Sequence, residues 1–413
     1  MKRLTLSRLA LYVLCGASMS LLVPGLAFAG WVQQNSGALD HLSSVHFPVD
    51  ALTGYAAGIN GKIWKTTNGG ANWVRQIASI GESFNSVHFP VDASTGYAVG
   101  YSGAIVKTTD GGTNWNTQTS GTFQTLYSVH FPVDASTGYA VGSYGTIRKT
   151  TDGGGNWVSQ TSDTTKNLQS VHFPVDALTG YAVGKNWITG STIYKTTDGG
   201  ANWVPQDSGT IRDLNSVYFP VDPSTGYAVG FAGTIRKTTN GGETWVSLNS
   251  GTTDNLFSVH FPVDALTGYA VGGWPSASTI LATTDGGANW VSQVSGTTNY
   301  LFSVHFPLNA LTGYTVGDGG TILKTTDGGV GVENGRDQGS GIRDQAYRAT
   351  PNPFTSFTSV PNHEAERFAL YDISGRRVGT YRGDRIGEGL RAGVYFVRAE
   401  SGDGRPVRVV KAR

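Results

Sequence analysis

The sequence predicts an all-β protein: a seven-bladed β-propeller closed by its own N-terminal strand, followed by a small C-terminal Ig-like β-sandwich. Three observations carry that prediction. One phrase recurs seven times at a near-constant period, each copy holds four short β-type runs, and the array ends out of phase with its beginning. The composition suits a turn-rich fold, with 58 glycines and 15 prolines among 413 residues and aromatics at 11% to fill a core.

Residues 1–29 read as a secretory signal peptide that lies outside the fold. Lys2, Arg3 and Arg8 precede an apolar stretch over 9–23, and Ala27-Phe28-Ala29 offers the small-x-small pattern before Gly30. Cys15, Gly16, Ser18 and Ser20 break that stretch, which is also shorter than the ~20 apolar residues of a membrane span. The mature chain is therefore expected to have no transmembrane span. Leu14 stands where a lipoprotein signal would carry a small residue, which argues against lipidation. Without Cys15 the mature chain has no cysteine, so disulfides and thiolate catalysis are excluded, and zinc would have to use His and carboxylates alone.

The repeats fill residues 30–329. The phrase S-V-H-F-P places its valine at Val45, Val87, Val129, Val171, Val217, Val259 and Val304, with Tyr218 replacing His in the fifth copy. Each copy reads L-x-S-V-H-F-P, V-D-x-x-T-G-Y-A-V-G, G-T-I-x-K-T-T-D-G-G and N-W-V-x-Q-x-S-G, four β-rich runs separated by Gly and Asp turn clusters. The seventh copy stops at Gly329 without its N-W-V-x-Q run, and the mature chain opens with that missing piece, Trp31-Val32-Gln33-Gln34. The first strand is thus expected to complete the last blade and leave no open sheet edge.

The turn T-T-D-G-G-x-N-W is expected to be a folding device. Its Asp or Asn can bind backbone N–H groups, its glycines admit positive φ, and its Trp buries a large face between sheets. It resembles the Asp-box (BNR) pattern of sialidase-like propellers. It is also similar to the photosystem II assembly-factor propellers, whose blades likewise read F-x-D-x-x-x-G-Y-A-V-G followed by T-T-D-G-G-x-x-W. The resemblance covers 31–329 and implies the fold; the motif itself is shared by proteins of many functions.

Seven internal copies separate what the architecture fixes from what it leaves free. Five residues before each repeated valine stand Asp40, Glu82, Gln124, Lys166, Arg212, Asp254 and Asn299. Blades four and five are basic there and the opposite blades acidic or neutral, so one face is expected to have a negative and a positive rim that orient a partner. The loops between second and third strands of five consecutive blades place Tyr101, Tyr144, Trp187, Phe231 and Trp274 on that same face. These rings either form a binding surface or fold back over the core.

Other residue sets point to structure. His46, His88, His130, His172, His260 and His305 could suggest a metal ring, but equivalent positions in successive blades are expected to lie spread around the propeller, and Tyr218 interrupts the set. The lysine before each T-T-D-G-G turn reads as a strand end with a solvated head. No metal and no cofactor are expected. A catalytic reading as an Asp-box glycoside hydrolase would need two carboxylates across a cleft, and Asp40, Glu82, Asp213, Asp254 and Asp318 offer no marked pair. The arginine triad that the sialidase resemblance implies is not evident in Arg75, Arg148, Arg212 and Arg236. Residues 30–329 carry 13 basic and 19 acidic residues, which argues against nucleic acid as a partner.

After Gly329, residues 330–350 are polar and aperiodic and read as a linker. Residues 351–413 open with P-N-P-F and contain Y-D-I-S-G-R-R-V, A-G-V-Y-F-V-R and a terminal V-V-K-A-R. This segment resembles the C-terminal sorting domains of type IX-secreted bacterial proteins, with an ordinary accessory Ig-like domain as the alternative. The resemblance implies recognition of 351–413 by outer-membrane export machinery and a place outside a Gram-negative-type cell, secreted or on its surface. The expected function is a non-catalytic binding propeller for an extracellular polysaccharide or a protein partner. The hydrolase is the alternative.

Overall fold

In the computed structural model the described residues are 30–329 apart from Ser79 and 186–190, together with 367–372, 377–382, 384–387, 390, 393–399 and 407–411. Residues 1–29, expected to be a signal peptide, residues 330–350, expected to be a linker, and the opening of the tail lie outside them, as does Trp187. Contacts divide the chain into two units, Met1–Asn334 and Gly335–Arg413.

The first unit is a seven-bladed β-propeller. Blade one shows the plan: Leu42–His46 is innermost, followed by Gly54–Gly58, Lys62–Thr66 and the outer Val74–Ile77 in one antiparallel meander. The second strand, G-Y-A-A-G here, is buried on both faces, as a strand between two neighbouring blades must be. The outer strand is mostly exposed. A register shift between Leu42 and Ser44 recurs at the same place in every inner strand. In the seventh sheet, Val32–Gln33 supplies the outer strand and pairs antiparallel with Ile322–Thr325, Val32 opposite Lys324.

The core lies between blades. Tyr55, Ala57 and Ile63 of blade one pack with Phe84, Val87, Phe89, Ala98 and Trp115 of blade two. Tyr55 stacks on Phe89 at 3.8 Å, and Trp115 meets the same Phe edge-on at 5.9 Å. Trp31 takes the corresponding place in the last blade, edge-on to Phe306 at 5.8 Å. A side chain on the second strand's first glycine would collide with this phenylalanine: a Cβ on Gly138 would lie 2.4 Å from the Phe131 ring. That clash explains why the G of G-Y-A-V-G never varies among the copies.

Each T-T-D-G-G turn is gripped by the preceding blade. Tyr55 Oη lies 2.8 Å from Ala93 O and 3.0 Å from Gly111 O, and Lys65 Nζ donates to Gly111 O at 2.7 Å. The expectation of a solvated lysine head is therefore corrected, because the ammonium satisfies a turn carbonyl of the next blade and lies 5.5 Å from the Tyr55 ring centre. The same contact joins blade seven to blade one through Tyr314 and Lys324 on Gly69 O. Within the turn, Asp152 Oδ1 accepts the Asn156 N–H at 2.9 Å and Gly154 N–H donates to Thr150 Oγ1 at 2.8 Å. Hydrogen bonds from the Asn156 backbone and side chain hold the Asp152 carboxyl down at about 2.

In the second unit, Arg367–Asp372, Arg377–Arg382, Gly393–Ala399 and Val407–Lys411 form one four-stranded antiparallel sheet, with Phe368, Leu370, Ile386 and Val397 buried together. A second layer for the expected sandwich would have to come from outside the described residues.

Candidate functional site: the variable face and the axial ring

The connectors from one blade's outer strand to the next blade's inner strand meet the loops between second and third strands at one end of the propeller. Gly61 N–H donates to Glu82 O at 2.9 Å, Gly145 N–H to Lys166 O at 2.7 Å and Gly233 N–H to Asp254 O at 2.8 Å. Both variable segments therefore lie on the same face. The tight loop turns through one residue with positive φ, which is Asn60, Ser102, Tyr144 or Ala232 in blades one, two, three and five.

This turn shows that the predicted aromatics do not occupy one column. Tyr101 and Phe231 precede the positive-φ residue, whereas Tyr144 is itself that residue, at φ 54°. Tyr144 is consequently the most open of them at 70% exposure, with Tyr101 and Trp274 about half exposed and Phe231 half-buried beneath Lys185, whose Nζ lies 5.1 Å from the ring centre. The larger apolar exposures were missed. Leu39, Phe123 and Ile211, each one residue before the variable connector position held by Asp40, Gln124 and Arg212, are more than 80% exposed. Their signal was present in the sequence, since Thr165, Thr253 and Thr298 fill that column elsewhere.

The charged rim is also revised. Asp254 is 7% exposed, and its carboxylate accepts Thr279 Oγ1–H at 2.7 Å and Ser276 N–H at 3.3 Å. It orders the 273–278 insertion and adds no open negative charge. Asp40 pairs with Lys62, and Asp318 contacts His41 Nδ1 at 2.8 Å. Asp213 is buried. Glu82 is exposed, as are Gln124 and Arg212, while Lys166 is half-buried. The acidic side is thus mostly neutralised, and the basic residues of blades four and five remain: Lys166, Lys185 over the Phe231 ring, and Arg212 next to Ile211 in the chain. Burial lowers the Lys185 ammonium's pKa, and Asp213 opposes that shift.

The inner strands hold a second constellation. The expectation that the histidines lie apart is corrected. His46 is 4.8 Å from His88 and 4.7 Å from His305 between ring centres, and His130, His172, Tyr218 and His260 continue the circuit at 4.6–5.0 Å. The innermost strands run so close to the axis that one column of the repeat becomes a ring. Sequence periodicity carries no such radial information. Among the described residues no group of His, Cys, Asp and Glu is arranged to hold a metal ion.

Comparison with known proteins follows the propeller. Residues 115–207 match the family model for the photosynthesis system II assembly factor YCF48. No curated protein matches the chain. A solved structure of YCF48 bound to D1 peptide superposes with a TM-score of 0.60 at 20% identity, covering 75% of this chain and 99% of that one. YCF48 from Cyanidioschyzon merolae gives 0.59 at 20% identity, covering 72% and 99%. At that identity the likeness establishes the propeller fold.

Proposed function

We propose that this chain is a non-catalytic interaction propeller that takes an extended polypeptide segment across its variable face, centred on the basic, apolar sector of blades four and five. The observation that carries this reading is the exposure of Ile211 and Arg212 on the blade-five connector, where Asp213 O accepts the Phe231 N–H at 2.9 Å and Lys185 lies over the Phe231 ring. An exposed apolar side chain next to an exposed cation suits an acidic, hydrophobic peptide. That the YCF48 structure similar in fold is described as bound to a D1 peptide supports a protein partner.

A polysaccharide partner and the hydrolase are less well supported. Tyr101, Tyr144 and Trp274 stand on three different blades, and Asp40, Asp254 and Asp318 are each engaged in holding a loop. We further read Val32–Gln33 as the strand that closes the ring, supported by its pairing with Ile322–Thr325. Residues 1–29 and 351–413 support export to the cell surface or medium through an outer-membrane machinery that recognises the tail. Deleting 351–413 is expected to trap the chain inside the cell envelope, measured by fractionation.

The binding reading is tested by selecting acidic peptides from a display library on the full chain and titrating them against Ile211→Ser combined with Arg212→Glu. A loss of about tenfold or more is expected, since an apolar contact and a favourable charge both go. Equal affinity for the variant, or release of reducing ends from a polysaccharide panel by the unaltered chain, would overturn it.

A further inference from the structure

The six ring histidines share one hydrogen-bonding arrangement. Each imidazole Nδ1 accepts the backbone N–H of the next blade's phenylalanine at 3.3–3.4 Å, from Phe89 N–H on His46 to Phe47 N–H on His305. An imidazole whose Nδ1 is an acceptor carries its proton on Nε2. The ring therefore presents N–H donors, and among the described residues no protein acceptor meets them. Two residues earlier on the same strands, about 6.8 Å along the channel, a tier of seven serines repeats the device. Ser44, Ser86, Ser128, Ser170, Ser216, Ser258 and Ser303 each accept the next blade's valine N–H at 3.2–3.3 Å, which leaves their O–H groups to donate.

No inner strand carries an Asp, Glu, Lys or Arg. The groups that face each imidazole are the neighbouring imidazoles, Tyr218 and these serines. A cation needs lone pairs, and those of the Nδ1 atoms are already committed to backbone N–H groups. An anion needs converging donors, which is what remains. Seven members spaced as measured put the ring centres about 5.5 Å from the axis, which leaves room, at N–H···O distances of about 2.9 Å, for one tetrahedral oxyanion.

We propose that the axial channel is a binding site for a small inorganic oxyanion, held by the Nε2–H groups of His46, His88, His130, His172, His260 and His305. Binding is by neutral donors. Burial, together with the neighbouring imidazoles, keeps the ring uncharged, so affinity does not follow the ordinary histidine titration.

The test uses the full chain labelled with 15N-histidine, titrated with sodium sulfate against sodium chloride at matched ionic strength. The six ring imidazoles are expected as Nε2–H tautomers whose signals shift together with sulfate, with one dissociation constant that stays flat between about pH 6 and pH 8. Replacing two donors, His88→Phe with His172→Phe, is expected to weaken sulfate by about tenfold or more. His88→Tyr copies what blade five already carries at Tyr218 and serves as the variant that keeps the ring's shape. It should retain the fold and shift the remaining five imidazoles with reduced affinity. Nδ1–H tautomers, sulfate and chloride titrations that coincide, an affinity unchanged in His88→Tyr, or zinc shifting the ring signals where sulfate does not would each overturn the proposal.

Discussion

The two ends of the propeller are made from the same strands, yet a side chain means something different at each. At the T-T-D-G-G end, Tyr55, Lys65 and their equivalents reach across to carbonyl groups of the next blade's turn. At the other end, Leu39, Phe123, Tyr144 and Ile211 stand in solvent on loops held by backbone hydrogen bonds and by short polar side chains such as Ser36, Ser162 and Asn167, so these four side chains join no blades. Sequence is constrained where a side chain joins blades and free where it points into solvent. Variation among the copies therefore marks surface available for recognition.

Acid should distinguish the joined interior from the free face most strongly. Burial depresses the basicity of the ring imidazoles, His130 to about 4 and His260 to about 3, with neighbouring imidazoles adding to the effect at His46, His88, His172 and His305. The unfolded chain takes up these protons below about pH 6.5 and the folded chain does not, so stability is complete above that value and falls as pH drops toward 4. At pH 5 a group held as low as His130 or His260 costs the fold about 2 kcal/mol, and urea midpoints in chloride buffer should fall steeply between pH 6.5 and 5. A flat profile would mean that the ring opens to water.

Gly138→Ala is the next largest, at about 2–3 kcal/mol, because the new Cβ must displace the Phe131 ring from a filled core. Thermal unfolding of the variant checks it, and a cost under half of that would show slack between blades. Tyr97→Phe removes the hydroxyl that lies 2.9 Å from both Ala135 O and Gly153 O, while Lys107 still donates to Gly153 O. About 1 kcal/mol is expected in denaturant titrations. Tyr144→Ser should stay within about 0.5 kcal/mol, since that ring is 70% exposed. A larger loss would place Tyr144 with the joining side chains and break the contrast between the two ends.

The repeat, its seven copies and the offset of Trp31 were legible because each is a statement about order along the chain. The positions that were misjudged concern direction away from it. Tyr101 and Tyr144 align by eye as loop aromatics, yet a single residue's shift through a positive-φ turn changes how far each ring projects. Asp254 reads as one more connector charge, and its burial depends on the 273–278 loop, which is longer than the corresponding loop of blades one, two, three, five and seven. The histidines read as a repeated strand residue, and only the narrow radius at the inner strands brings them into contact.

The pairing of Val32 with Lys324 joins residues nearly the whole propeller apart. Contacts of such long sequence separation form late and slow folding. During vectorial synthesis, blades one to six can assemble in turn as their strands leave the ribosome, but the seventh sheet must wait for residues beyond 320. Until then Trp31 lacks the pocket of Tyr269, Phe306 and Leu323 that it fills at the end. The growing chain thus carries an uncovered tryptophan, just behind residues 1–30, for most of its synthesis, an adhesive site that a chaperone could hold until the seventh sheet forms.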